Sequence, residues 1–196
     1  MILGITGGIA SGKSTVVRIL RELGARVVDC DDLVRCLTDH EPEILNAIRT
    51  RFGEEYFSGA GALLRGRLGQ LILVDDEARH DLEAILHPRV IETCTRISED
   101  SKSRNEPLAI CAPLLIEADM LYLVDRTWLV SCTREQQVER LMQRNGISRE
   151  LAEQWISIQM PLEEKQKYAD DVLDNSVDGI EGLADEISRR WNEIIR

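Results

Sequence analysis

The sequence predicts an α/β fold: a P-loop NTPase-type five-stranded parallel sheet flanked by helices, with a helical substrate-binding insertion and a helical lid. Three observations predict it. Short apolar runs alternate with segments of helical period, the pattern of strands joined by crossover helices. A glycine-rich stretch, Gly7–Thr15, separates the first apolar run from the first helical segment. Two intervals between strands are also far longer than the roughly dozen residues of a plain crossover.

Each element has its own reason. Ile2–Thr6 is a short apolar run ending in glycines and reads as a buried strand. Lys13–Leu23 places Val16, Ile19, Leu20 and Leu23 on one face, and Gly24 stops the helix. Arg26–Asp29 is the second strand, Leu108–Cys111 the third, closed by Pro113, and Thr127–Ser131 the fourth. Asp171–Leu173 is a short fifth. A last helix over about Gly179–Ile195 repeats Ile180, Leu183, Ala184, Ile187, Trp191 and Ile194 at helical spacing.

Between the second and third strands lie helical patterns: Ile44, Leu45, Ile48 and Phe52; Leu68, Leu71 and Ile72; Ala78, Leu82, Ile85 and Leu86. This interval is the natural place for an acceptor-specific subdomain. Arg134–Tyr168, rich in Arg, Gln and Glu, reads as a mobile lid. The expected division is a core of residues 1–35, 106–133 and 169–196, an insertion of 36–105 and a lid of 134–168, in one domain.

The chain has 196 residues, 43% apolar and 30% charged, with a net charge of −11. That sign disfavours general electrostatic capture of nucleic acid or of an anionic membrane, and an anionic substrate would need local basic groups to override it. No apolar run approaches the roughly 20 residues of a membrane span. The N-terminus has no basic n-region, so a cytoplasmic location is expected. Five cysteines without Cys-x-x-Cys spacing read as small buried thiols in a reducing compartment. A monomer or weak homo-oligomer is expected.

Gly7-Gly8-Ile9-Ala10-Ser11-Gly12-Lys13-Ser14 fits Gly-x-x-x-x-Gly-Lys-[Ser/Thr] at every fixed position. The glycines let successive amides from Gly8 to Gly12 turn toward phosphates. The helix start adds unpaired N–H groups and a positive dipole end. Lys13 supplies a compact charge at the β- and γ-phosphates, the Ser14 hydroxyl suits Mg²⁺, and Thr15 can reach the α-phosphate. A chance glycine-rich turn is the bland alternative, and the strand before and helix after argue against it. No Asn/Thr-Lys-x-Asp motif favours GTP, and no consecutive Asp-Glu follows Leu108–Cys111. Both absences tilt toward an ATP-dependent kinase.

Val28-Asp29-Cys30-Asp31-Asp32 falls at the expected end of the second strand, the ligand-bearing edge of a parallel sheet. Phosphoryl transfer needs a carboxylate at the acceptor hydroxyl and oxygen ligands around Mg²⁺. Asp31 or Asp29 can do the first job. Asp32 can cap a helix over Leu33–Leu37, or the whole stretch can be a solvated acidic turn. Arg35, one turn on, can meet an anionic acceptor.

With these residues in view, the sequence resembles the dephospho-CoA kinase family over nearly its whole length. The likeness runs through Gly4–Thr15, Val28–Asp31, Val34-Arg35, Leu82–Pro88, Pro113-Leu114-Leu115-Ile116-Glu117, Gln137–Leu141 with Arg144, Gln159, Ala169-Asp170 and Asn175. It implies ATP-dependent phosphorylation of the ribose 3′-hydroxyl of dephospho-CoA, with ATP, dephospho-CoA and Mg²⁺ as partners. It implies Asp31 as the catalytic aspartate and Arg140 as a lid arginine on the nucleotide phosphates, with Arg144 on the same helix face. Three positions depart from the family pattern. Ala10 stands where glycine is usual, and its backbone is expected to be unstrained and the substitution silent. Ile116 replaces Phe, and Gly66-Arg67 stands where Asp-Arg is common.

Other residues carry two readings. His87, before Pro88, marks a helix end or lines the acceptor pocket. Glu117 holds Mg²⁺-bound water or the acceptor, or is a helix-start carboxylate. Trp128 and Trp191 read as core, and Trp155 as lid packing. The alternatives to the kinase of dephospho-CoA are a kinase of a nucleoside monophosphate or small sugar acid, and a nucleotide-dependent binding module.

Overall fold

The structure is a computed structural model that describes residues 1–176 and 180–195. Among them, five strands pair into one parallel sheet: β1 (Ile2–Gly7), β2 (Arg26–Asp29), β3 (Leu108–Cys111), β4 (Arg126–Ser131) and β5 (Asp171–Asp174). The order is β2-β3-β1-β4-β5, with Gly4 of β1 opposite Ile110 of β3 and Thr127 of β4. β1 is therefore central, and every residue of it is buried. That is why it reads as a continuous apolar run instead of an alternating one.

The chain forms two compact units, Met1–Asp29 with Cys94–Arg196, and Cys30–Thr93. The first holds the sheet, α1 (Lys13–Glu22) and α9 (Ile180–Ile194). Its core joins Leu3, Ile5, Val16, Leu20, Trp128, Leu173, Ile187 and Trp191. Both tryptophans expected in the core are there. Gly179, the expected start of the last helix, lies outside the described residues. Within this unit, the segment expected to be a lid contains α6 (Arg134–Asn145), α7 (Arg149–Ser157) and α8 (Leu162–Lys165). Thr133 and Gln136 form a capping box at the start of α6, and Gly146 ends the helix in the left-handed conformation. Val138, Leu141, Ala152 and Ile156 form the lid core, with Trp155 packed on it as expected.

The second unit holds α2 (Cys30–His40), α3 (Pro42–Phe52), α4 (Arg65–Val74) and the first part of α5 (Asp76–Ser103). Ile44, Ile48, Phe52, Leu68, Ala78 and Leu86 make its core, and Leu45, Leu71, Ile72, Leu82 and Ile85 pack against them. The periodic residues read from sequence are thus the ones that form this core or pack on it. The unit runs from Cys30 to Thr93.

Two helix ends differ from expectation. α2 begins immediately after β2, at Cys30, so Asp31 and Asp32 lie in its first turn and no separate acidic turn or Asp32 cap exists. Their charges suit the positive end of the helix. His87-Pro88 is not a helix end either: α5 continues through Pro88 to Ser103. Leu86, Val90 and Cys94 are buried along it, and that packing outweighs the lost backbone donor. Cys36 is the exception among the five free thiols, being exposed on α2.

Candidate active site

The phosphate loop leaves the buried end of β1 and enters α1. Gly12 precedes α1 at φ 105°, and no side chain caps the helix; the positive end of such a helix suits an anion. A Cβ on Gly12 would collide with the Asn175 amide nitrogen, and one on Gly7, at φ 154°, with the Val130 carbonyl oxygen. These two glycines are required by conformation and by close approach alike. Lys13 Nζ donates to the carbonyl oxygens of Gly7 and Gly8, each at 2.8 Å. Ser14 is exposed at the first turn of α1 and Thr15 is half-buried. Ala10 corrects the sequence reading: it sits at φ 59°, in the left-handed region, and its backbone is strained.

The lid segment grips this loop. Gln137 Nε2 donates to Ile9 O at 2.7 Å, and Ile9 N donates to Gln159 Oε1 at 2.8 Å. Ile9 and Ala10 also pack on the lid core. Arg140 Nη2 donates to Asn175 O at 2.9 Å, and its Nη1 lies 3.5 Å from Ser11 O. Asn175 Nδ2 donates to the same Ser11 oxygen at 2.8 Å. So Gly8, Ile9, Ser11, Gly12, Lys13 and Arg140 form one connected set. Arg144 is exposed, and its Nε donates to neighbouring Asn145 instead. A cavity of about 360 Å³ opens beside Gly8, between Cys132, Gln137, Gln159, Met160 and Leu162. Burial pushes the Cys132 thiol above its ordinary range, the nearby Arg140 and Lys13 opposing the shift.

At the β3 side, Asp29 pairs in register with Cys111. Pro113 and Leu114 follow, half-buried. Pro113 O accepts from Thr6 Oγ1 at 3.2 Å and from Lys165 Nζ at 2.6 Å. Lys165 is fully buried. It also donates to Glu117 Oε2 at 2.9 Å and lies 2.8 Å from Oε1, while Met160 N donates to Glu117 Oε1 at 3.3 Å. Burial pushes the Lys165 ammonium below its ordinary range, with the Glu117 carboxylate offsetting part of the shift. Glu117 is thus engaged with protein groups.

In the second unit, Asp31 is exposed in the first turn of α2. Arg35, also exposed, pairs with Asp32 at 3.5 Å. His87 is half-buried on α5. No cluster of three or more His, Cys, Asp or Glu residues suited to a metal occurs among the described residues. Mg²⁺ needs only one or two protein oxygens while phosphates and water supply the rest, and the exposed Ser14 hydroxyl offers one.

Sequence reasoning gave no role to Gln137, Gln159 or Asn175, and missed Lys165. The signal for Lys165 was faint, since it stands among charged residues, Glu163-Glu164-Lys165-Gln166-Lys167.

Residues 1–181 match the family model described as dephospho-CoA kinase. The chain belongs to the dephospho-CoA kinase family. Similar curated relatives include the dephospho-CoA kinase of Geobacter sulfurreducens, 43% identical over 98% of this chain and 96% of the relative. That of Carboxydothermus hydrogenoformans is 45% identical over 89% and 85%. Among solved structures, a Thermus thermophilus protein superposes with a TM-score of 0.77 at 36% identity, covering 98% of this chain and 97% of its own. A shikimate kinase of Aquifex aeolicus, at 19% identity and a TM-score of 0.52 over 98% and 96%, shares the fold alone. The dephospho-CoA kinase match spans the phosphate loop, the residue 30–93 unit, the lid segment and β5. No described helix is long and apolar enough to cross a membrane.

Proposed function

We propose that this protein transfers the γ-phosphoryl group of ATP to the ribose 3′-hydroxyl of dephospho-CoA, releasing ADP and coenzyme A. The observation that carries the reading is the family match across residues 1–181, which includes an intact phosphate loop. The phosphate loop from Gly8 to Ser14 and the start of α1 bind the β- and γ-phosphates, and Thr15 reaches the α-phosphate. Lys13 moves from its carbonyl partners to the phosphate oxygens. Asp31 orients the 3′-hydroxyl and takes its proton as the oxygen attacks phosphorus and ADP leaves. Arg140 neutralises charge on the transferring group. Asp29, Arg35, His87, Pro113 and Leu114 are assigned to the acceptor, and Arg144 to the nucleotide when the lid closes. Ser14 would hold Mg²⁺, which when bound with ATP offsets the charge of the phosphate oxygens.

The test is ADP release from ATP–Mg²⁺ with dephospho-CoA, AMP, gluconate or no acceptor. Only dephospho-CoA should stimulate it, and no stimulation would sink the reading. Asp31→Asn should lower kcat by about a hundredfold or more while ATP still binds. An unchanged kcat removes Asp31 from its role.

A further inference from the structure

We infer that the ion pair between the buried Lys165 and the solvent-facing Glu117 is a positioning device that aligns the phosphate loop through the segment carrying Gln159; the inference rests on the reaction proposed above. Four observations lead there. First, Lys165 is a charged side chain with no exposure, and its ammonium group meets Pro113 O and both Glu117 oxygens. Second, Pro113 O is shared with Thr6 Oγ1, and Thr6 is the residue immediately before the phosphate loop. Third, Glu117 Oε1 also accepts from Met160 N. Fourth, the residue before Met160 is Gln159, whose Oε1 accepts from Ile9 N inside the loop.

A path of three hydrogen bonds and one peptide link therefore runs from Lys165 through Glu117 and Met160 to Gln159 and Ile9. It ties together the end of β1, the turn after β3 and the segment between α7 and α8. Stability alone does not call for such a pair, because well-packed apolar residues of similar volume commonly serve as well or better. What apolar residues do not supply is direction. An ammonium with three donors and a carboxylate with two oxygens admit few geometries. Ile9, its amide held by Gln159, stands between Gly8 and Ala10 within the loop that receives the phosphates. Phosphoryl transfer is positioning and electrostatics, and a misplacement of about 1 Å can cost about a hundredfold in rate. Lys165 touches no reacting atom in this account. Its effect passes through Glu117 and Gln159.

The experiment compares wild type with Lys165→Met, Lys165→Arg, Lys165→Met/Glu117→Leu and Gln159→Ala. Three quantities are read: kcat, KM for dephospho-CoA, and hydrogen exchange at the Ile9 and Met160 amides without ligand. Lys165→Met and the double variant should lower kcat about tenfold or more with KM for dephospho-CoA within about twofold. They should also speed exchange at both amides. Lys165→Arg should recover part of kcat. The double variant buries no lone charge and so keeps the test open if Lys165→Met does not fold. Gln159→Ala leaves the pair intact and should speed exchange at Ile9 with a similar fall in kcat. A folded double variant with wild-type kcat, or wild-type exchange at Ile9 in both it and Gln159→Ala, overturns the inference. If wild type itself gives no ADP with dephospho-CoA, the proposed reaction fails, and the exchange rates still decide the coupling.

Discussion

Ala10 holds a left-handed conformation at φ 59° that costs an L-residue about 1–2 kcal/mol. Glycine there relieves the strain and gives back part of it as unfolded-chain entropy. Ala10→Gly should therefore raise stability by about 0.5–1 kcal/mol, read as a higher Tm, with kcat little changed. A lower Tm would show that the Ala10 methyl packing on the lid core outweighs the strain. Arg140 allows a second test at this scale. Its guanidinium bonds Asn175 O and approaches Ser11 O. Arg140→Ala should lower kcat about tenfold or more, and a wild-type rate would contradict its role. The loop was legible because its glycines and lysine obey a fixed spacing. The strain at Ala10 was not, because a residue's identity does not report its φ. Nor was the burial of Lys165: a lysine flanked by glutamates has the composition of a solvated helix face.

At the scale of elements, α5 shows how a local rule yields to packing. Proline in a helix interior removes one hydrogen bond and crowds the preceding turn, so His87-Pro88 reads as a boundary. The helix nevertheless continues to Ser103, with Leu86 and Val90 buried on either side. Pro88 itself is exposed. Pro88→Ala should then stabilise the protein by about 1–2 kcal/mol, and a fall in the denaturant midpoint would show that the proline ring contributes contacts instead. The start of α2 was missed for a related reason. Asp31 and Asp32 favour turns in isolation, yet here they fill the first turn of a helix that follows β2 without a gap. Strand limits were read to within one residue, since each is a compact apolar run with a clear stop. The helix faces of the 30–93 unit were read correctly too, because burial follows the helical period.

For the whole molecule, sheet order lay beyond composition and periodicity: nothing in five separate apolar runs says that the first is central. Charge, by contrast, supports a prediction for the intact protein. Arg65 holds the Asp39 carboxylate below its ordinary range, Arg26 does so for Asp100, Arg149 for Glu135, and Ser176 for Asp174. Carboxylates whose folded pKa is depressed contribute stability above their unfolded values, and lose it as pH falls through the folded ones. Tm should therefore vary little from neutral pH to about pH 4.5 and decline below it. High salt should blunt the part of that decline due to the exposed Arg pairs and spare the part due to Asp174. A Tm that is level down to pH 3 would refute the assignment.

The Lys13 ammonium has one further consequence. It donates to Gly7 O and Gly8 O, so the loop carries its own internal competitor for that cation. Binding a polyphosphate exchanges one set of oxygen partners for another and does not strip water from a bare charge. Only the difference between the two sets adds to affinity. A neutral isostere, Lys13→Met, should then weaken ground-state ATP binding less than it weakens turnover, because the γ-phosphoryl oxygens draw most on the charge when the bond to ADP is breaking.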